Sequence, residues 1–377
     1  MDPVILIGTG VAGYTFAKAW RQLDAETPLL IITEDDGVSY SKPMLSNAWG
    51  KNKTPNTLAM ADADTMATQL DATILTHTQV TSIDTEAHRI QTSNDAYQYS
   101  TLVLATGASP ISLNLDGDND ALWQVNSLSH YRDFYPILNE KNHLAIIGCG
   151  LIGCEFANDA MLAGKQVTLI GMENQLLPDL IPPQMAEALL EKFTESGIRF
   201  LPERTATRID QHENGATLTL NTGETVHADM CLAAVGIRPR LELAHASGIE
   251  CHRGIVVDNT LATSAPDVYA IGDGIEFEGS VRFYIAPILL QARTLAEHLG
   301  NKDGRKPLAY PVLPMTVKTP LYPIACVIPQ TEGSWEIESN DNGMCATCRN
   351  ENGELIGFAL SENRCQERMT LAKEVVL

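Results

Sequence analysis

Positive charge is what this 377-residue chain has least of: 26 Lys and Arg face 47 Asp and Glu, a net charge of −21. Such a field repels phosphate backbones and argues against nucleic acid as a partner. Long hydrophobic runs are also missing. The opening apolar stretch is too short to span a bilayer, is broken by glycines and has no basic leader before it, so the expectation is a soluble, cytoplasmic protein without membrane insertion. Only eight cysteines occur, none before Cys149, and their scatter is not that of a secretory disulfide framework; a reducing compartment fits. Cys345 and Cys348 are the one close pair. Zinc needs four ligands, and no second pair or suitable His spacing follows, so no metal is expected and the pair is read as part of a strand.

Glycine is present where it matters. Val4 to Gly13 reads VILIGTGVAG, an apolar run followed by Gly8, Gly10 and Gly13 and then by helix-compatible YTFAKAWRQL. In this pattern the backbone turns at the first glycine and passes close to a pyrophosphate seated on the helix N-terminus. A second apolar run, Leu29 to Thr33, ends in Glu34, twenty-one positions past Gly13, where a carboxylate accepts from a ribose hydroxyl. The device recurs: HLAIIGCGLIGCE carries Gly148, Gly150 and Gly153, with Ile152 and Glu155 in the first helical turns. Two such units in one chain imply two dinucleotides. Glu155 either complements the helix dipole or lies close to a nicotinamide and pairs with a lysine such as Lys42. The strand QVTLI of the second unit ends in Gly171, where an acid is usual, with Glu173 two residues on and no Lys or Arg before Gln175; NAD(H) is favoured over NADP(H).

Other features gain meaning from their order. Lys42 lies in a loop opening a short helix, where a fixed cation would stabilise an anionic reduced ring. Leu75 to Ile90 alternates like a small meander. Ala105, Thr106 and Gly107 end a buried-looking strand and are placed against the first cradle. Gly236 in AAVGIRP closes the nicotinamide site, and Gly272 and Asp273 end the strand YAI at a ligand-binding edge. Prolines after Pro311 exclude a continuous helix. Lys318 stands alone there, and a C-terminal helix is expected from about Cys365.

In this order GTGVAG, Glu34, YSKPMLS, LATGA, GCGLIGCE, VGIRP, YAIGD and VKTP resemble the flavin-dependent pyridine-nucleotide reductases over essentially the whole chain. The resemblance implies an α/β fold: two doubly wound dinucleotide-binding domains of glutathione-reductase type, for FAD (1–110 and 241–312) and NAD(H) (111–240), plus a small C-terminal α+β domain (313–377). It implies that Thr9, Gly10, Val11, Ala12, Thr33, Glu34, Lys42, Val80, Glu155, Asp273 and Lys318 contact FAD, with Lys42 and Glu155 forming an ion pair beside the reactive flavin nitrogen. In the disulfide reductases of this plan the segment around Tyr40 to Met44 carries a Cys-x4-Cys pair; here no cysteine precedes Cys149, which removes a thiol relay at that place. The implied activity is hydride transfer from NADH to FAD and one-electron delivery to rubredoxin, feeding an alkane hydroxylase or similar oxygen-handling system. The alternatives are reduction of a flavorubredoxin or ferredoxin, or a flavin- and NADH-binding redox sensor. Arg364 and Arg368, one helical turn apart, join Lys42 and Lys318 as a basic rim for an acidic carrier. The short C-terminal region leaves the oligomeric state open, a monomer included.

Overall fold

The computed structural model describes residues 2–300 and 306–376, which fall into two compact units. The first comprises residues 1–43, 56–109 and 237–310, and the second residues 44–55, 110–236 and 311–377. The segment 313–377, expected to stand apart, therefore clusters with the second unit, as does the short excursion 44–55.

A five-stranded parallel sheet organises the first unit, in the order Val268–Ala270, Thr101–Leu104, Val4–Ile7, Leu29–Ile32 and Thr73–Leu75. The inner strand VILI and its neighbour LLII are buried at every position, as a sheet covered on both faces requires. The chain leaves Val4–Ile7 toward Leu29–Ile32 on one side and returns as Thr101–Leu104 on the other, so the strand ends at the point where the sheet's winding reverses and ligands bind. The helix Val11–Arg21 buries Ala12, Phe16, Ala17 and Trp20, a one-sided apolar face that packs on the helix Ile285–Gly300. Its C-terminal end is fastened by Arg21, which donates to the carbonyls of Leu70, Asp24 and Thr27. The expected meander is an antiparallel sheet of Val80–Asp84, Arg89–Thr92 and Ala96–Gln98.

The second unit repeats the plan. Its parallel sheet runs Leu122–Trp123, Met230–Ala233, His143–Ile147, Gln166–Ile170, Ile198–Leu201, and the helix Leu151–Leu162 follows His143–Ile147 across the second glycine turn. After Pro311 come five antiparallel strands in the order Met315–Val317, Ile324–Val327, Leu355–Ser361, Gly343–Arg349, Ser334–Asn340. The strand Leu355–Ser361 is buried along its whole length, which explains its unbroken apolar sequence. In place of a long C-terminal helix there is a 3-10 turn, Glu362–Glu367, and one α-helical turn, Arg368–Leu371. Cys345 and Cys348 share the strand Gly343–Arg349; three residues apart in a strand, they face opposite ways and cannot chelate one ion. No metal-binding cluster occurs among the described residues, and among them no helix is long and apolar enough to cross a membrane.

Candidate functional site

In both units the glycine triads divide the labour in the same way. A Cβ on Gly8 would strike the Ala105 carbonyl and one on Gly13 the Gly8 carbonyl, so strand, turn and helix touch backbone to backbone. Gly148 stands in the same relation to the Ala234 carbonyl, and Gly153 to that of Gly148. Gly8 and Gly148 also have φ of +112° and +113°, in the region that favours glycine. Gly10 and Gly150 differ from these: nothing lies within 4 Å of a Cβ built on either. Both are helix N-caps whose side of the turn supplies no side-chain acceptor, leaving open N–H groups that suit a pyrophosphate. The residues present fit two dinucleotides.

Around the first cradle, Ala105 donates its N–H to Ile7 and is buried, while the Gly107 carbonyl accepts from the Arg240 N–H at 3.0 Å. Thr106 Oγ1 reaches the Arg240 carbonyl at 3.4 Å. Gly272, with φ +93°, sits against Ala12 and donates to Gln291 at 2.7 Å. Val80 is buried in the core of this unit at the start of its strand. Thr9, Thr33 and Asp35 form a closed network: the one Thr9 hydroxyl proton is shared between Thr33 Oγ1 at 3.0 Å and the Asp35 carboxylate at 3.2 Å, and the Thr33 hydroxyl donates to the same carboxylate at 2.8 Å. Glu34 remains exposed at the strand end. The spacing rule did not single out the neighbouring Asp35, which braces the turn; its signal is the Asp-x-Gly of an Asx turn, seen in the Gly37 N–H to Asp35 bond at 2.9 Å. A cleft of about 270 Å³ opens beside Thr9, Gly10, Val11 and Tyr14 and is lined on its far side by Tyr40, Pro43 and Ile285.

Within the first unit the Lys42 ammonium lies 3.6 Å from Asp273. Burial pushes the Asp273 carboxyl up, and the Lys42 charge opposes the shift. Within the second unit Glu155 is bound to Lys318: Nζ to Oε2 at 2.6 Å and the Lys318 backbone N–H to Oε1 at 2.9 Å. Ser46 Oγ donates to the same carboxylate and accepts from Lys318 Nζ at 3.0 Å. Glu155 is fully buried, so a charge there demands this density of donors. Lys318 is 163 residues away from Glu155, a distance no local pattern bridges.

Two more polar groups on this helix went unnoticed. Asn158 accepts from the Leu321 N–H at 3.1 Å, and Asp159 accepts from the N–H groups of Trp49 and Gly50 at 2.9 and 3.0 Å. With Glu155 they form an i, i+3, i+4 stripe on a helix otherwise apolar and buried from Gly153 to Ala160, a legible sign of polar partners arriving from elsewhere. The stripe clamps both the excursion 44–55 and the Lys318–Leu321 turn onto the nucleotide helix. Burial pushes the Asp159 carboxyl from 3.8 up to about 6, against the pull of the Trp49 and Gly50 donors and the Lys51 and Lys318 charges. Because the folded value lies above the unfolded one, the contribution to stability is complete below about pH 4 and is lost as pH rises through about 6. Two units correspond to roughly 3 kcal/mol. In urea melts, the stability of the wild type relative to Asp159→Asn is therefore expected to fall by an amount of that order between pH 4 and 7; parallel curves would show that Asp159 does not titrate there.

Gly236, with φ +107°, ends the strand-to-turn connection and its carbonyl accepts from the Ile111 N–H at 3.0 Å. Ile152 is 42% exposed beside Gly150, an apolar side chain left facing outward at the cradle. Arg364 does not serve as a free docking charge: its side chain is 14% exposed and held by Glu338 at 3.6 Å and Glu367 at 3.0 Å. Arg368 spends a donor on the Cys365 carbonyl at 2.8 Å.

Residues 2–289 match the family described as pyridine nucleotide-disulphide oxidoreductase, and residues 307–375 match the rubredoxin binding C-terminal domain. A rubredoxin-NAD(+) reductase of Alcanivorax borkumensis is 39% identical over 380 residues, covering 100% of this chain and 99% of that protein. A nitric oxide reductase FlRd-NAD(+) reductase of Salmonella heidelberg is 35% identical over 372 residues, 98% of each. A solved ferredoxin reductase for the CYP199A2 system from Rhodopseudomonas palustris superposes with a TM-score of 0.90 at 25% identity, covering 100% of this chain and 96% of that one.

Proposed function

The chain belongs to the pyridine nucleotide-disulphide oxidoreductase family, and from that premise we infer that it is an FAD-dependent NADH:rubredoxin oxidoreductase. The observation that carries the reading is the combination of two glycine cradles with a C-terminal segment that matches the rubredoxin binding domain. The full-length relatives named rubredoxin-NAD(+) reductase support it. Bound FAD supplies two-electron acceptance from NADH and one-electron release to an iron carrier. The protein's part is binding, alignment and charge.

In the first unit, assigned to FAD over residues 1–110 and 241–312, Gly8 to Gly13 would hold the pyrophosphate. Thr33 and Glu34 would face the ribose, and Val80, Ala105 to Gly107, Gly272, Asp273 and Lys42 complete the proposed set. Lys42 neutralises Asp273 at 3.6 Å, so the pair is held in place without a net charge. In the segment 111–240, assigned to NADH, Gly148, Gly150, Ile152 and Gly153 form the cradle and Gly236 borders it. Glu155 and Lys318 are the proposed flavin contacts of the second unit, with Ser46 orienting both. Residues 313–377 would receive the carrier. All eight cysteines are free, which supports a reducing cytoplasmic setting.

No thiol takes part. Burial pushes the Cys154 thiol up beyond the ordinary range and Cys231 and Cys326 up to about 12. Anaerobic NADH is expected to bleach the flavin absorbance, and rubredoxin to be reduced at an undiminished rate after iodoacetamide treatment. A protein that does not take up FAD, or whose output is lost on alkylation, would end the reading. The Salmonella relative's name supports a second carrier, a flavorubredoxin; kcat/KM measured side by side with rubredoxin, flavorubredoxin and ferredoxin decides between them. Slow reoxidation of the reduced flavin by every carrier would favour a redox sensor instead.

A further inference from the structure

The strand Gln166–Ile170 ends in Gly171, where a dinucleotide fold commonly places the acid that meets the adenosine ribose. The structure gives the reason. A Cβ on Gly171 would lie 2.5 Å from Cys149 Sγ, 2.9 Å from Cys149 Cβ and 2.9 Å from a ring carbon of Phe200. Cys149 is the residue between the two glycines of the cradle and is 1% exposed, while Phe200 is held in the neighbouring strand opposite Leu169. The Gly171 backbone cannot retreat, since its N–H donates to the Leu201 carbonyl at 3.0 Å and its carbonyl accepts from the Arg204 N–H at 2.8 Å. No side chain fits at position 171.

Two residues on, Glu173 is half-buried and anchored at both ends. Its carbonyl accepts from the Glu203 N–H at 3.1 Å, and its Oε2 accepts from Cys149 Sγ–H at 3.3 Å. Burial first, and Glu173 second, push the Cys149 thiol up to about 12, so it remains a donor at neutral pH. Met172, between Gly171 and Glu173, is 67% exposed. The basic side chain whose backbone borders Gly171, Arg204, is occupied by the carbonyls of Pro202 and Glu203 and by Glu224 at 3.7 Å.

We propose that Glu173 is the residue that selects NADH over NADPH, and that Cys149 is a positioning residue that orients its carboxylate while displacing the acid from the strand end. This rests on the reading of Gly148 to Glu155 as the pyridine nucleotide cradle. A carboxylate held at this point accepts from a free 2′-hydroxyl and repels a 2′-phosphate.

The test uses the FAD-loaded protein and two probes, ADP-ribose and its 2′-phosphate, with dissociation constants from calorimetry beside kcat/KM for NADH and NADPH. Glu173→Gln is expected to weaken ADP-ribose by about tenfold or more and to narrow the preference over the 2′-phosphate by a similar factor, the scale of a charge-assisted hydrogen bond. Cys149→Ala should weaken ADP-ribose several-fold, and Cys149→Ser, which keeps a donor, should restore most of it. An unaltered preference in Glu173→Gln would overturn the proposal for Glu173, and equal binding by the Ala and Ser variants would overturn the one for Cys149. Binding of neither probe by the wild type would bring down the cradle reading itself, together with this one.

Discussion

Gly150→Val is expected to leave the protein folded and to abolish its response to NADH, whereas Gly153→Val is expected to unfold the second unit. The two glycines are three residues apart in one motif, and sequence alone ranks them equally. Gly150 has φ −76° and ψ −167°, an extended conformation open to any residue, and a Cβ there meets nothing within 4 Å. A valine would therefore cost the fold little, within about 0.5 kcal/mol as for an ordinary surface change. It would instead fill the space a pyrophosphate needs above the open helix N–H groups, and a loss of NADH affinity on the order of 100-fold or more follows from excluding the ligand's charged centre from its donors. At Gly153 the added carbon would overlap the Gly148 carbonyl, so the helix Leu151–Leu162 must lift from the strand His143–Ile147. Overpacking a backbone contact costs roughly 3 kcal/mol or more. The first unit offers the same contrast between Gly10 and Gly13, with flavin colour as the readout: Gly10→Val folded and pale, Gly13→Val unstable. Thermal melts beside nucleotide titrations decide the matter, and a Gly150→Val protein that binds NADH normally would remove the second cradle.

Lys318→Met is expected to destabilise the second unit and slow reduction of the flavin. Glu155 has no exposed surface, and Lys318 supplies it with one ion pair and one backbone donor. Methionine keeps the backbone donor and the stem but removes the charge. Breaking a buried pair costs about 3–5 kcal/mol; Lys318 is 30% exposed and Ser46 still donates, which places the expected loss at the lower end. The double variant Glu155→Gln with Lys318→Met should regain much of the stability, because no buried charge is left over. With Glu155 and Lys318 each placed against the flavin, as the resemblance implies, flavin reduction by NADH in the double variant should stay slower by about 10²-fold. Full recovery of rate along with stability would make the pair structural only, and an unchanged Lys318→Met protein would make it dispensable.

What was legible in the chain and what was not follows the range of the interactions. The strand, glycine turn and helix of each cradle are set by neighbours within about fifteen residues, through apolar periodicity, the positive φ of Gly8 and Gly148 and the contacts of Gly13 and Gly153 with those same turns, and they could be read directly. Glu34 and Asp35 show where this kind of reading blurs: the spacing marks the end of the strand, and the bonds that Asp35 makes there depend on the Thr9 hydroxyl arriving from another loop.

The partners of charge were beyond reach. Nothing near Lys42 in the chain announces Asp273, 231 positions on, as the carboxylate beside it. Lys318 and Ser46 come to Glu155 from 163 and 109 residues away, and the excursion 44–55 has no periodicity to announce that Asp159 will receive it. Gly171 is the sharpest instance. As a letter it reads as a missing acid; in the fold it is the one residue that fits against Cys149 and Phe200. Local sterics and periodicity settled that there would be two nucleotide-binding units and where their turns would fall, because backbone conformation is decided by near neighbours. Only the packed tertiary structure settled which buried charges face each other, because desolvation punishes an unpaired charge wherever its partner lies along the chain.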